Sequence, residues 1–421
     1  MKKISDVKDV VCGFVDYGLF NELAVQISQQ YKHVFYYNPS WKNAFPSSKD
    51  ITISEGFDNI TVIKDFWNYK KYFDLVWFPD IYDGDTQEEL KSQGIPVWGA
   101  GKTEWLERDR FKTTEWQKSI GLPTPERKKI IGIDAARALP KGWHIKINEF
   151  RDDAETFRKL GNQQMDAFWD ALALILGHRK NTYIFMAEKD IPDAVEFGSD
   201  MCTVRGNSPL ISLYGIERKG SAYLGKMART NKLPQSLKKV NDALSTVFKE
   251  ENTECDFSTE VRVTKKLEGF LIDPCIRKGN PPFQSQMEII KNQATVAWAG
   301  ANGELEEYEF VNRYCAKATM TSEFAAQSEL AFEFPDSIRR FVKIKNVCKA
   351  DGVYYYIPNK GSKITTVGAI VGLGSTKEEA VENCKKNASE VKAFQLEIDT
   401  YALDEAIEET QKANKDFGFN F

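Results

Sequence analysis

Four short apolar runs punctuate the first hundred residues, and the segments between them carry helical rather than strand-like patterning. The runs are "DVVCGFVD" (9–16), "HVFYYN" (33–38), "DLVWFPD" (74–80) and "IPVWGA" (95–100). "LFNELAVQISQQY" after the first is helix-compatible. "TQEELKSQG" before the last sets Thr86 and Glu89 in capping-box spacing and ends on Gly94, which predicts a short helix. Strands that alternate with helices predict a parallel, doubly wound sheet over residues 1 to about 100. Ligands of such sheets sit at the C-terminal ends of the strands.

The last run leads into "PVWGAGKTEW" (96–105), whose Gly-Lys-Thr is how a phosphate-binding loop ends. A working loop needs a glycine five positions before Gly101, where backbone N–H groups turn inward. That position is Pro96, which has no N–H. The alternatives are an incomplete phosphate loop using Lys102 and a plain strand running into a helix.

Composition narrows the function classes. A chain of 421 residues suggests two to four domains. Its net charge of −4 gives no basic field to hold a polyanion, which argues against a nucleic-acid coat role. There is no apolar run of about 18 residues to span a membrane. The N-terminal "MKKISDVKDVVCGF" lacks a leader pattern, so a cytoplasmic location is expected. Seven cysteines form no C-x-x-C pair and, with three histidines, suggest neither a disulfide framework nor a zinc site.

Residues 103–120 are helix-like until "GLPTPE" breaks them with two prolines. Beyond that boundary, "WHIKINEF" (143–150) and "TYIFMAEKDI" (182–191) read as strands, and the stretch to about 330 is mixed. "KITTVGAIVGLG" (363–374) is an apolar strand closed by glycine. "STKEEAVENCKKNASEVKAF" follows it, with Ser375 and Glu378 in capping-box spacing and apolar residues at helical intervals.

The segment richest in chemistry is "FSTEVRVTKKLEGFLIDPCIRKGNPP" (257–282). Its first half alternates, with Glu260, Arg262 and Thr264 on one face and Val261 and Val263 on the other. A four-residue loop at 265–268 pairs Thr264 with Gly269 and sets Glu260 directly opposite Asp273. Cross-strand carboxylates repel and want a cation between them, and Mg²⁺ takes such oxygen ligands together with water and nucleotide phosphates. Cys275 and Arg277 continue the same face, which places Arg277 to contact those phosphates. The competing reading is a solvated hairpin, and a one-residue slip separates the acids. Lys146, mid-strand between Ile145 and Ile147, is either a snorkelling side chain or a phosphate contact. Glu188 and Glu196 follow an apolar strand, and "YGIERKGSAYLGKM" (214–227) reads equally as pocket lining or as solvated loop.

The order of these pieces resembles the ATP-grasp superfamily, and within it the phosphoribosylamine–glycine ligase family, over most of the chain. "VWGAGKTEWLERDRFKTTEWQKSIGLPTPE" looks like that family's approach to its ATP-binding half, and "GFLIDPCIRKGNPP" is similar to its stretch of acid, asparagine, arginine and Gly-x-Pro. "TVGAIVGLGSTKEEAVENCKKNASEVKAFQLEI" resembles its C-terminal subdomain and is the most specific match. The resemblance implies an α/β chain, α+β in the later lobes. It would carry a doubly wound N-terminal domain (1–102), a linker helix and small ATP-binding lobe (103–190), a large lobe with the metal site (191–330) and a C-terminal subdomain (331–421). It implies an ATP-dependent ligase for a small-molecule carboxylate and amine, using ATP and Mg²⁺ or Mn²⁺.

Carried over by motif, Lys146 contacts ATP phosphates, Glu188 lies at the hinge beside adenine and Glu196 near the ribose. Glu260 and Asp273 match the metal acids, and Arg277 the arginine near the transferred phosphate. The chain departs from the family in three places. Cys275 replaces an asparagine, and "NEFRDDAETF" replaces a glycine-rich loop, leaving Arg151 as its phosphate contact. The N-terminal glycine fingerprint becomes "GFVDYGLFNE". A non-catalytic ATP-binding scaffold on the same fold is the alternative.

Overall fold

The computed structural model describes residues 6–39, 52–146, 156–158, 162–358 and 365–421. Its first strands are β1 (Val11–Val15), β2 (His33–Tyr37), β3 (Ile60–Ile63), β4 (Leu75–Trp77) and β5 (Val97–Trp98). They form one parallel sheet in the order β3-β2-β1-β4-β5. Burial on both faces explains the unbroken apolar runs. Cys12, Phe14, Leu75 and Trp77 enter one core, while Val15 and Val76 enter a second on the opposite face. The strand absent from the sequence reading, β3, is a four-residue edge strand, ITVI, of which only Ile63 is buried.

Two local expectations in this region are corrected. The helix after β4 spans Gly84–Ser92 and starts two residues before Thr86, so Thr86 and Glu89 lie inside it. Its start is held from a distance, because the Glu104 carboxylate accepts from the backbone N–H groups of Tyr82 (2.9 Å) and Gly84 (3.1 Å). The phosphate-loop alternative also falls. Residues Gly101–Glu104 form a 3₁₀ turn, and the Gly101 N–H donates to Gln87 Oε1 at 2.8 Å. Lys102 is exposed and faces Glu88 at 3.8 Å.

After the helices Trp105–Arg108 and Arg110–Ser119 comes a small antiparallel sheet. It consists of β6 (Arg127–Ile131), β7 (Trp143–Lys146), β8 (Thr156–Arg158) and β9 (Ile184–Lys189), in the order β6-β9-β7-β8. Trp143, Ile145, Trp169 and Phe185 give it a hydrophobic core of its own. "WHIKINEF" is described only as far as Lys146, and Arg151 lies outside the described residues.

The largest sheet begins with β10 (Ala194–Val204), β11 (Ile211–Arg218), β12 (Ala222–Arg229), β13 (Glu254–Thr264), β14 (Gly269–Cys275) and β15 (Tyr314–Thr321). Later come β16 (Leu330–Phe332), β17 (Val342–Ile344), β18 (Val347–Ala350), β19 (Val353–Tyr356), β20 (Thr366–Gly374) and β21 (Glu397–Ile398). Nine strands join in the order β14-β13-β10-β11-β12-β15-β20-β17, with β21 on β15, while β16-β19-β18 form a separate small sheet. Segments 191–330 and 331–421 therefore share one sheet, and one hydrophobic cluster runs from it into the N-terminal domain.

The helix Lys377–Ser389 starts one residue later than the spacing predicts. Thr376 caps it by accepting from the Glu379 N–H, and Glu379 accepts from the Ser375 N–H at 2.8 Å. Its close seat on β20 requires Gly372, where a Cβ would lie 2.2 Å from the Cys384 nitrogen. Among the described residues, no helix is long and apolar enough to cross a membrane.

Candidate active site

The β13–β14 hairpin carries the acid pair. Its loop falls at 265–268, but Val263 rather than Thr264 faces Gly269. That offset continues through Arg262–Phe270 and Val261–Leu271. A bulge at Ile272 then restores the alignment, so Glu260 stands directly opposite Asp273. Val261 and Val263 enter the core, while Glu260 and Asp273 line the same cavity of about 500 Å³.

This cavity lies between the small sheet and the large one. Lys146, Glu188, Glu196, Glu260 and Asp273 all line it. Lys146 is buried in its wall, 2% exposed, rather than snorkelling to solvent. Its Nζ donates to the Ile272 carbonyl and to Asp273 Oδ2, both at 3.2 Å, and lies 3.5 Å from Glu188 Oε1. Glu188 is also gripped by Arg127 Nε at 2.7 Å, and Arg127 in turn donates to Thr114 and Gln117 of the preceding helix. From that helix Arg110 Nε approaches Asp273 Oδ1 at 3.5 Å. Arg110 escaped the sequence reading because it reaches the site only through docking of the linker helix, and Arg127 because β6 meets Glu188 on β9 across a long stretch of intervening chain.

The connection between β9 and β10 has its own network. Arg262 Nε donates to Glu196 Oε2 at 2.8 Å, and its Nη1 to Asp190 Oδ1 at 3.1 Å. Arg158 holds the other Asp190 oxygen at 2.6 Å. Glu196 and Arg262 are direct cross-strand partners on β10 and β13. The ambiguous stretch at 214–227 supplies Glu217, Arg218, Lys219 and Ser221 to the cavity wall.

Nine acidic side chains line the cavity against six lysines and arginines. Burial pushes the Glu260 carboxyl up to about 8; Lys219 opposes the rise, and Glu196, Glu217 and Asp273 add to it. Asp273 behaves oppositely. Burial disfavours its charge, but Lys146, Arg110 and Lys219 outweigh burial and hold it below the usual carboxylate range. Among the described residues, no group of three or more His, Cys, Asp or Glu side chains is arranged to hold a metal unaided. The Cys275 thiol is pushed well up, chiefly by burial, which keeps it neutral.

Arg277 stands apart from this cavity. β14 ends at Cys275, and beyond it the Arg277 guanidinium turns towards the N-terminal domain. There its Nε donates to Glu107 Oε1 at 2.8 Å and lies 3.5 Å from Asp80 Oδ1. Among the described residues, its Nη1 is buried without a hydrogen-bond partner.

No protein-family model matches the chain, and no curated protein sequence matches it. Solved structures do. Phosphoribosylamine–glycine ligase from Thermotoga maritima superposes with a TM-score of 0.66 at 14% identity, over 92% of this chain and 99% of that one. The biotin carboxylase domain of 2-oxoglutarate carboxylase from Hydrogenobacter thermophilus gives 0.63 at 12% identity, over 97% and 95%. N5-carboxyaminoimidazole ribonucleotide synthetase from T. maritima gives 0.58 at 13% identity, over 91% and 99%. With near-complete coverage of each chain, the likeness establishes the architecture, and the protein has the ATP-grasp fold.

Proposed function

We propose that the chain is an ATP-dependent ligase that joins a small-molecule carboxylate to an amine. The observation that carries the proposal is the Glu260–Asp273 pair, set face to face in a cleft that the buried Lys146 also lines. The structural likeness supports it, since the H. thermophilus domain was solved with MgADP and bicarbonate.

The donor set fits Mg²⁺. Two opposed carboxylates with an excess of negative charge around them suit a divalent ion that keeps water and phosphate oxygens in its remaining positions. When bound, the ion neutralises charge that builds on the phosphates. Lys146 would hold phosphate from the small lobe, while Glu188 and Glu196 would border the adenine and ribose side, with 103–190 and 191–330 as the two lobes. Arg277, with its spare buried donor, would meet an anion arriving from the N-terminal domain.

The substrate carboxylate attacks the γ-phosphorus, an O–P bond forms and ADP leaves. The amine nitrogen then attacks the acyl carbon, inorganic phosphate departs, and the amine's proton leaves with it. This chemistry asks for positioning and charge neutralisation rather than a protein nucleophile. The test is ADP release from Mg-ATP across a panel of carboxylates and amines, and silence with every pair sinks the proposal. The neutral Cys275 thiol, a poor Mg²⁺ ligand where the family has asparagine, favours a second reading as a non-catalytic ATP-binding protein. That reading is the one supported by tight Mg-ATP binding without turnover.

A further inference from the structure

The C-terminal helix Tyr401–Phe417 packs beside β11 and β12 and lends Glu405 and Glu409 to the cavity wall. These acids stand four residues apart, on one helix face. Between them they fork Arg218, whose Nη2 meets Glu405 at 2.8 Å and whose Nη1 meets Glu409 at 3.0 Å. The helix is a firm base. Beyond it Phe419 and Phe421 pack on Phe197, and the Asn420 carbonyl accepts from Lys226 and the Tyr214 hydroxyl.

The tip that Arg218 leads into, Lys219-Gly220-Ser221, is closed by the Arg218–Ala222 pair and tied to β15 where the Ser221 carbonyl accepts from the Thr319 N–H at 2.8 Å, which leaves Lys219 and Gly220 to be held by Arg218. Ser221 closes a turn by donating its N–H to the Arg218 carbonyl at 2.8 Å. Gly220 has φ +78°, and a Cβ there would touch nothing within 4 Å. Lys219 nonetheless lines the cleft together with Glu260 and Asp273, and the acids around it, Glu260 foremost, push its ammonium pKa up.

We propose that Arg218 is a positioning residue. Held in the fork of Glu405 and Glu409, it pins the β11–β12 turn to the C-terminal helix and keeps Lys219 facing the Glu260–Asp273 pair, where Mg-ATP phosphates would lie. The inference rests on the ligase reading for the identity of that ligand.

The experiment uses the full chain as wild type, Glu405→Gln/Glu409→Gln and Lys219→Gln. Two readouts are taken: amide exchange over 217–222, and affinity for Mg-ATP and for AMP. The double variant is expected to speed exchange in the turn and to weaken Mg-ATP binding about tenfold, with AMP unchanged. Lys219→Gln is expected to lose the same affinity without faster exchange. The charge-reversed Arg218→Glu/Glu405→Arg/Glu409→Arg should recover both protection and affinity, and the selectivity of the loss for Mg-ATP over AMP is what a merely structural role does not predict. Unchanged exchange in the double variant, or faster exchange with full Mg-ATP affinity, overturns the inference alone. A wild type that binds no Mg-ATP overturns the ligase reading, and with it the role given to Lys219.

Discussion

Replacing Lys146 by methionine separates a structural lysine from a working one. The ammonium is buried and serves Asp273 at 3.2 Å and Glu188 at 3.5 Å, so the variant removes one cation from two carboxylates at once. Breaking a buried ion pair costs about 3–5 kcal/mol when the remaining charge is left bare. Here neither is bare, because Arg110 remains 3.5 Å from Asp273 and Arg127 remains 2.7 Å from Glu188. The expected cost is therefore nearer that of a single hydrogen bond to a charged group, about 2 kcal/mol. It is read as a shift of the denaturant midpoint without nucleotide. Mg-ATP affinity, read by calorimetry, should fall between about 10- and 100-fold, because a charge-assisted phosphate contact is lost. Adding Glu188→Gln strips the buried Arg127 of its carboxylate, so it should cost further stability and return none of the affinity. Lys102→Ala should change neither, since that side chain is exposed. Wild-type Mg-ATP affinity in Lys146→Met would refute the phosphate role, and wild-type stability would refute the ion-pair accounting.

Three further outcomes follow from the geometry. Asp16 is fully buried and accepts from the Phe20 N–H and the Tyr36 hydroxyl, and burial pushes its carboxyl up to about 7 from an ordinary 3.8. A value raised on folding stabilises fully below 3.8 and is lost as pH climbs to 7, a fall of roughly 4 kcal/mol at most. Asp16→Asn should flatten that slope, and a wild type equally stable at pH 4 and pH 7 would contradict the assignment. In Gly300→Ala the new methyl would lie 2.0 Å from the Trp98 ring, whose indole N–H is fixed on Asp256 at 2.9 Å. Overpacking should cost about 1–3 kcal/mol, measured in urea, and full stability would show that Trp98 yields freely. Glu260→Gln should erase most of the gain in ATP affinity that Mg²⁺ confers, about tenfold by calorimetry with and without the ion, and an undiminished gain would take this acid out of metal binding.

What was legible in the sequence depended on how far apart in the chain the partners lie. The parallel sheet showed itself because each strand, buried on both faces, is an unbroken apolar run. The acid pair showed itself because β13 and β14 are joined by four residues, so the alternation of one strand fixes the other. The path to that pairing was misjudged, for the register starts one residue off and is repaired by the bulge at Ile272. A signal was present in Pro274, which has no N–H to give the ladder and marks a strand that tolerates irregularity. Arg277 lies outside the cavity for a related reason. Period-two alternation was carried past Cys275, where the strand stops and the rule loses its physical basis, so the guanidinium turns to Glu107 and Asp80 instead. Arg110 and the Arg218 fork lay beyond any local pattern, since each meets its acid across a docked surface, and Arg127 did so because its strand partner Glu188 is distant in the chain. A cleft of this kind is thus readable where a hairpin builds it, and only coordinates reveal the cations that neighbouring segments bring to it.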